Sequence, residues 1–196
     1  MGPEALIGGH GSEPASAWVR RWSPWVKQGG TVLDVACGLG RHTRWFLARG
    51  HSVCAVDRSG EAIDAVRTLA PAGADGHLET RVADLENGPW PFEGRRFDAV
   101  IVTNYLWRPL LPAIVDSVSD DGVLIYETFA AGNETVGRPA RAEFLLQPGE
   151  LIAACAGLRV LAFEDGYLDD PPRFVQRIAA IRTRPGSVWP GLPLGQ

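Results

Sequence analysis

Strand and helix alternate along most of this chain, and then two strands follow one another with no room for a helix between them. TVLDVA (31–36), SVCAVD (52–57), LETRVADL (78–85), FDAVIVTN (97–104) and GVLIYETF (122–129) read as strands. FDAVIVTN is almost continuously apolar, as a strand covered on both faces must be. Helical periodicity appears over RHTRWFLAR (41–49), stopped by Gly50, and over EAIDAVRTLA (61–70), capped by Ser59 and ended by Pro71 and Gly73. It returns over LLPAIVDSV (110–118) and, after a long polar insertion (130–147), over PGELIAACAG (148–157), with Pro148 near its start and Gly157 after its end. LRVLAFEDG and RFVQRIAAIR are separated only by YLDDPP, so they pair antiparallel as a hairpin. The pattern predicts one α/β domain: a doubly wound sheet of seven strands, mostly parallel with one reversed strand, and helices on both faces.

A length of 196 residues suits one domain with a substantial core. The N-terminal stretch SEPASAWVRRWSPWVKQGG (12–30) reads as a helix interrupted at Pro24. The expected layout is an N-terminal helix and lid over 1–30, a core over 31–183 and a Pro- and Gly-rich tail, extended or disordered, over 184–196. A net charge of −4, with acids and bases mixed, argues against general nucleic-acid binding. No basic head precedes an apolar segment at the N-terminus, and no run approaches the roughly 18 apolar residues of a membrane helix. Cys37, Cys54 and Cys155 are too few and too scattered for a disulfide framework or a zinc site, so they read as buried reduced thiols. Together these features suggest a cytoplasmic protein, with no metal and no membrane partner.

The chemistry concentrates in VLDVACGLGRHTRWF (32–46), where a strand ends in a glycine turn that enters a helix. Ligands in open parallel sheets bind beyond the C-terminal strand ends, where strand order reverses. Gly38 and Gly40 fall there, and a backbone without side chains can lie against a ligand. The dinucleotide fingerprint G-x-G-x-x-G requires a third glycine at position 43, where Thr43 stands. Asp34 discriminates further, because a carboxylate within ~4–6 Å of a pyrophosphate would repel it. A sulfonium and an ammonium would be favoured instead, which points to S-adenosylmethionine rather than NAD. Asp57 ends the second strand, 17 positions beyond Gly40, where an acid can bind both ribose hydroxyls. Asp84 ends the third, where it can accept from an adenine amino group. Each acid alone could equally cap the helix that follows; three on successive strands beside one glycine turn are harder to explain that way.

These motifs resemble the class I S-adenosylmethionine-dependent methyltransferases, with a Rossmann-like fold. DVACGLG (34–40) is similar to that family's D-x-x-x-G-x-G signature, AVDRS to its ribose-binding acid, VADLE to its adenine-contacting acid and FDAVIVTN to its fourth strand. The closing hairpin is similar to its reversed seventh strand. The resemblance spans roughly residues 15 to 183 and, within the class, is to the small bacterial enzymes grouped with tellurite-resistance-type methyltransferases. It implies that Asp34, Ala36, Gly38 and Gly40 form the cofactor turn, with the two glycines packing against the methionine part. It further implies that Asp57 and Arg58 frame the ribose, that Asp84 and Leu85 line the adenine, and that Thr103 or Asn104 borders the methyl group.

The acceptor is expected to be a small molecule held by segments after strand ends. TNYLWRPL (103–110) supplies Tyr105 and Asn104 as candidate catalytic residues and Trp107 and Arg108 as candidate substrate contacts. Its Asn and Tyr lack the paired prolines of the N-P-P-Y motif, which excludes the amino-methylating DNA enzymes. The insertion supplies Asn133, Arg138 and Arg141. The arginines either fix an anionic acceptor or pair with Glu134 and Glu143. His10, Trp18, Trp22 and Trp25 are candidates for a lid, and the tryptophans equally for a dimer contact. His42 is expected to face solvent, Trp45 and Phe46 to be core, and Glu127 either to face the pocket or to pair with a helix. Two other readings compete: a non-catalytic S-adenosylmethionine-binding module and a nicotinamide-dependent oxidoreductase.

Overall fold

In a computed structural model, residues 13–70, 77–184 and 186 are described. The strands are β1 (Thr31–Val35), β2 (Ser52–Asp57), β3 (Leu78–Val82), β4 (Phe97–Thr103), β5 (Val118–Phe129), β6 (Arg159–Asp169) and β7 (Pro172–Ile181). They form one sheet in the order β3-β2-β1-β4-β5-β7-β6. Strands β1 to β5 pair in parallel, while β7 runs antiparallel to both β5 and β6. The doubly wound sheet with one reversed strand, expected from the sequence, is therefore present.

Alternation of side chains along each strand divides the core into two layers. Val32, Val53, Ala99, Ile101, Val123 and Ile125 meet Trp18, Val19 and Trp22 of α1 (Ala17–Trp22) and Phe46 and Leu47 of α2 (Arg41–Leu47). Ala55 on the same face meets Ile63 and Val66 of α3 (Gly60–Arg67). On the opposite face Leu33, Val56, Val100 and Leu124 pack against Ile114 and Val115 of α4 (Leu111–Asp116) and Leu151 of α5 (Glu150–Ala154). The three cysteines are buried and unpaired, and burial pushes the thiols of Cys54 and Cys155 up to about 12.

Several boundaries depart from the sequence reading. β5 begins at Val118, inside the segment expected to be helix, because Val118 pairs with Phe97 across a bulge in the β4–β5 ladder. The same end is held to β7 by Asp121 N–H donating to the Arg182 carbonyl and Arg182 N–H to that of Gly122. α3 ends at Arg67, before the expected stop at Pro71 and Gly73, which lie outside the described residues, as does His10. The hairpin strands extend into YLDDPP, leaving only Asp170 and Pro171 between them. The tail from 187 onward also lies outside the described residues.

Trp18 and Trp22, weighed above as lid residues, are core. Trp18 is 1% exposed, donates its indole N–H to the Ile178 carbonyl at 3.2 Å, and lies under the Arg177 guanidinium. Replacing Trp18 with Ala is expected to lower stability by about 3–5 kcal/mol, the cost of a large side chain lost from a close-packed core. A fall in the urea midpoint checks this; an unchanged midpoint would return Trp18 to a surface role.

Candidate active site

The turn that leaves β1 sits where strand order reverses, with β2 on one side and β4 on the other. Ala36, Gly38 and Gly40 all have left-handed backbone, with φ of 52°, 53° and 77°. Glycine adopts this freely, whereas Ala36 carries a penalty of about 1–2 kcal/mol that its surroundings must hold in place. A Cβ at Gly40 would stand 2.8 Å from both Leu69 Cδ1 and Val66 Cγ2, so α3 also requires glycine there. A Cβ at Gly38 would meet nothing within 4 Å, which makes this the open side of the turn.

Asp57 holds the turn from the next strand. Its Oδ2 accepts the Gly38 N–H at 2.9 Å and its Oδ1 the Ser59 N–H at 2.9 Å. Asp84 organises the turn after β3, accepting from the backbone N–H groups of Glu86 and Asn87 and from Asn87 Nδ2. The Asn87 side chain first, then these backbone donors, hold its carboxyl below the usual range. Both acids are thus local caps and cleft residues at once, since both line a cleft of about 750 Å³.

That cleft joins Ala36, Asp57, Arg58, Asp84, Leu85, Asn104, Tyr105 and Arg141, eight of the residues singled out in the sequence. It also includes residues not singled out: Ala83, Glu86, Leu106, Thr128, Phe129, Pro139 and Phe144. These flank the named acids or lie in the two loops already suspected, but nothing in their spacing marked them individually. Asn104 is exposed at φ 55°, a conformation that asparagine tolerates. The Tyr105 carbonyl accepts from the Tyr126 hydroxyl at 2.8 Å, whereas its own hydroxyl is buried without a hydrogen-bond partner among the described residues. Burial, followed by Glu86 and Asp84, pushes that phenol above its ordinary range, so it stays protonated.

Most other candidates lie elsewhere. Asp34 is 2% exposed and sits beneath the turn, accepting the Thr43 hydroxyl at 2.7 Å, so its carboxylate does not line the cleft. Thr43, which stands where a dinucleotide turn wants glycine, is thus Asp34's partner. His42 does not face solvent: it is 1% exposed, and burial, then Arg41, pulls its pKa down to about 3. Thr103 contacts His42 and is not in the cleft wall. Arg108 grips Glu150 through two bonds of 2.6 and 3.0 Å and donates to the Glu143 and Leu145 carbonyls. Asn133 is 1% exposed and bonds Pro139 and Phe174 main chain. Trp107 packs on the core, and Arg138 is exposed outside the cleft wall. Arg141 does line the cleft, paired with Glu143 and lying over Phe144. Glu127 points to the α1 face, where its Oε2 is 3.4 Å from Arg177 Nη1.

The reversed strand seated between β5 and β6, on a sheet whose order turns at β1, is the arrangement that the sequence resemblance implies. Residues 32–120 match the family model described as a methyltransferase domain. No curated protein matches the sequence. Among solved structures the chain is similar to TehB from Haemophilus influenzae, at 18% identity and TM-score 0.64, covering 85% of this chain and 61% of that one. It is similar to a TehB-like SAM-dependent methyltransferase from Corynebacterium glutamicum, at 17% and 0.63, covering 88% and 90%. It also resembles the glycopeptide N-methyltransferase MtfA solved with S-adenosyl-L-homocysteine, at 16% and 0.61, covering 87% and 91%. The chain thus spans less than two thirds of the Haemophilus protein. Domain model and fold agree: residues 32–120 match a methyltransferase domain, and the chain has the fold of S-adenosylmethionine-dependent methyltransferases.

Asp34 offers a pH test of the turn. Burial, opposed by Thr43, raises its carboxyl to about 6, against about 3.9 in the unfolded chain. Between those values the folded state binds a proton that the unfolded state does not. Its contribution is therefore complete below about pH 4 and is lost as pH rises through 6, by on the order of 3 kcal/mol. Urea unfolding across pH 4 to 7 should show Asp34→Asn gaining on the wild type as pH rises. A pH-independent difference between the two would mean that Asp34 ionises normally.

Proposed function

We propose that the chain transfers a methyl group to a small, largely apolar acceptor by in-line displacement. The observation that carries this reading is a single cleft whose two ends differ in chemistry. One end holds Asp57, Arg58, Asp84 and Leu85; the other holds Tyr105, Leu106, Phe129, Pro139 and Phe144. Its volume falls within the roughly 300–1,000 Å³ of small-ligand sites.

The polar end fits an adenosine. An ionised carboxylate offers about four acceptor positions. Asp57 uses two on Gly38 and Ser59, which leaves about two for a pair of ribose hydroxyls. Asp84 uses three, which leaves about one for an adenine amino group, with Leu85 as the apolar wall. The open backbone at Gly38 admits the amino-acid end of the cofactor, which supplies an electrophilic methyl on a sulfonium.

At the other end the aromatic and aliphatic side chains exclude water and align the acceptor, and orientation of this kind can supply on the order of 7–11 kcal/mol in favourable cases. Arg141 is neutralised by Glu143, and Arg108 is held by Glu150, which favours an uncharged acceptor over the anionic one weighed above. Tyr105, kept protonated and without a partner, acts as a hydrogen-bond donor to the acceptor rather than as a base. A base is required only if the acceptor retains its proton at working pH.

Calorimetry on the purified protein tests the polar end. S-adenosylmethionine and S-adenosylhomocysteine should bind and NAD should not; binding of NAD alone would refute the assignment. Asp57→Ala should weaken both by at least about tenfold, since it removes hydrogen bonds worth about 1.5–3 kcal/mol each. With an acceptor in hand, Tyr105→Phe should lower kcat and leave S-adenosylhomocysteine affinity unchanged; a collapse of that affinity would move Tyr105 to the cofactor side.

A further inference from the structure

A second cavity, of about 570 Å³, lies between α4 and α5 and shares no wall residue with the cleft. Positions three and four apart on a helix share a face, and both walls follow that spacing. One wall is Leu111, Pro112 and Val115, following Arg108; the other is Ala153, Ala154 and Gly157, following Glu150. The second row carries almost no side chain, which leaves an apolar trough beside the larger residues of the first. Its volume falls within the roughly 300–1,000 Å³ of small-ligand sites.

Four charged side chains border the groove, and its two ends are not equivalent. Arg108 and Glu150, which precede the two rows, are bonded to each other twice, so that end is neutral and satisfied. Arg182 and Asp116 stand at the end where the rows finish. Arg182 donates from Nε to the Val118 carbonyl and from Nη2 to the Val115 carbonyl, each at 2.8 Å, so main chain fixes its guanidinium plane. Carbonyls remove no charge. The Asp116 carboxylate stays 3.8 Å from Nη2, beyond hydrogen-bond distance, and is 79% exposed, so it offsets that charge only weakly. Nη1 makes no hydrogen bond among the described residues and is not buried. One end of an apolar groove therefore holds an oriented cation with two N–H donors unused.

We infer that this groove binds a small amphiphile, with its apolar body along the two rows and a carboxylate on Nη1 of Arg182. The inference is independent of the methyl-transfer reading, because the two cavities have separate walls. A cationic head would be repelled by Arg182, and an uncharged one would forgo the charge-assisted bond, so the head group selects a monoanion.

Octanoate, 1-octanol and octylamine carry the same tail with anionic, uncharged and cationic heads. Titrated into the full chain and followed by amide NMR shifts, octanoate should move Ala153, Ala154 and Gly157. It should bind about ten- to a hundredfold more tightly than 1-octanol, the usual range for a hydrogen bond to a charged group, and octylamine should bind weakest. Ala153 is an exposed wall position, so Ala153→Phe should abolish octanoate binding without unfolding the chain. Arg182→Gln should reduce octanoate to the affinity of 1-octanol; where that variant does not fold, the head-group series decides. Equal affinity for octanoate and 1-octanol would overturn the carboxylate assignment. Shifts confined to Tyr105 and Phe144 would place the amphiphile in the cleft instead, and no binding by any of the three would refute the site.

Discussion

One carboxylate ties the ligand end of this molecule together. Asp57 accepts the Gly38 N–H on one oxygen and the Ser59 N–H on the other, so a single side chain at the tip of β2 fixes both the turn after β1 and the entry into α3. Buried or half-buried backbone donors that lack partners are costly, and the turn offers few alternatives because its residues are in left-handed conformations that form no ladder. The cleft inherits its shape from this bridge. Asp34 and Thr43 brace the same turn from below, and α3 closes against Gly40 from the side.

The acceptor side is held by quite different means. The insertion after β5 is anchored at several points by buried or half-buried polar side chains. Arg108 reaches across to Glu150 and to two carbonyls of the insertion. Asn133 binds Pro139 and Phe174, and Gln176 binds the Gln147 carbonyl and the Leu151 N–H. A long loop organised this way presents Pro139, Arg141 and Phe144 to the cleft from a fixed frame. The polar residues of the insertion mainly hold it in place, while Pro139 and Phe144 line the cleft.

The opposite face of the sheet carries a polar row where a core is expected. Thr103, Glu127, Arg177 and Glu164 stand opposite one another on β4, β5, β7 and β6. Arg177 serves both acids and is roofed by Trp18, so the ion pairs are sheltered without being deeply dry. Removing one member would leave a charge with no partner in a partly apolar layer, which is the costly way to break such a network. α1 is thus bound to the sheet by packing and by charge.

Local chemistry made most of the fold legible. Apolar runs, the Gly50 stop, the Ser59 cap and the short YLDDPP link state strand, helix and hairpin in terms that need no long-range contact. They did not state where β5 begins, because the pairing of Val118 with Phe97 and of Asp121 with Arg182 lies in other parts of the chain. Asp57 and Asp84 could be read as cleft residues because each stands at or just past a strand end. The sequence by itself determined a doubly wound sheet with its acids gathered at one edge. Only the tertiary structure decided which way each side chain faces. It turned Asp34 under the turn and His42 into the core, bound Arg108 to Glu150, and brought Phe129 and Phe144 into one wall. Such partners are chosen by burial and hydrogen bonding across more distance than any sequence spacing encodes.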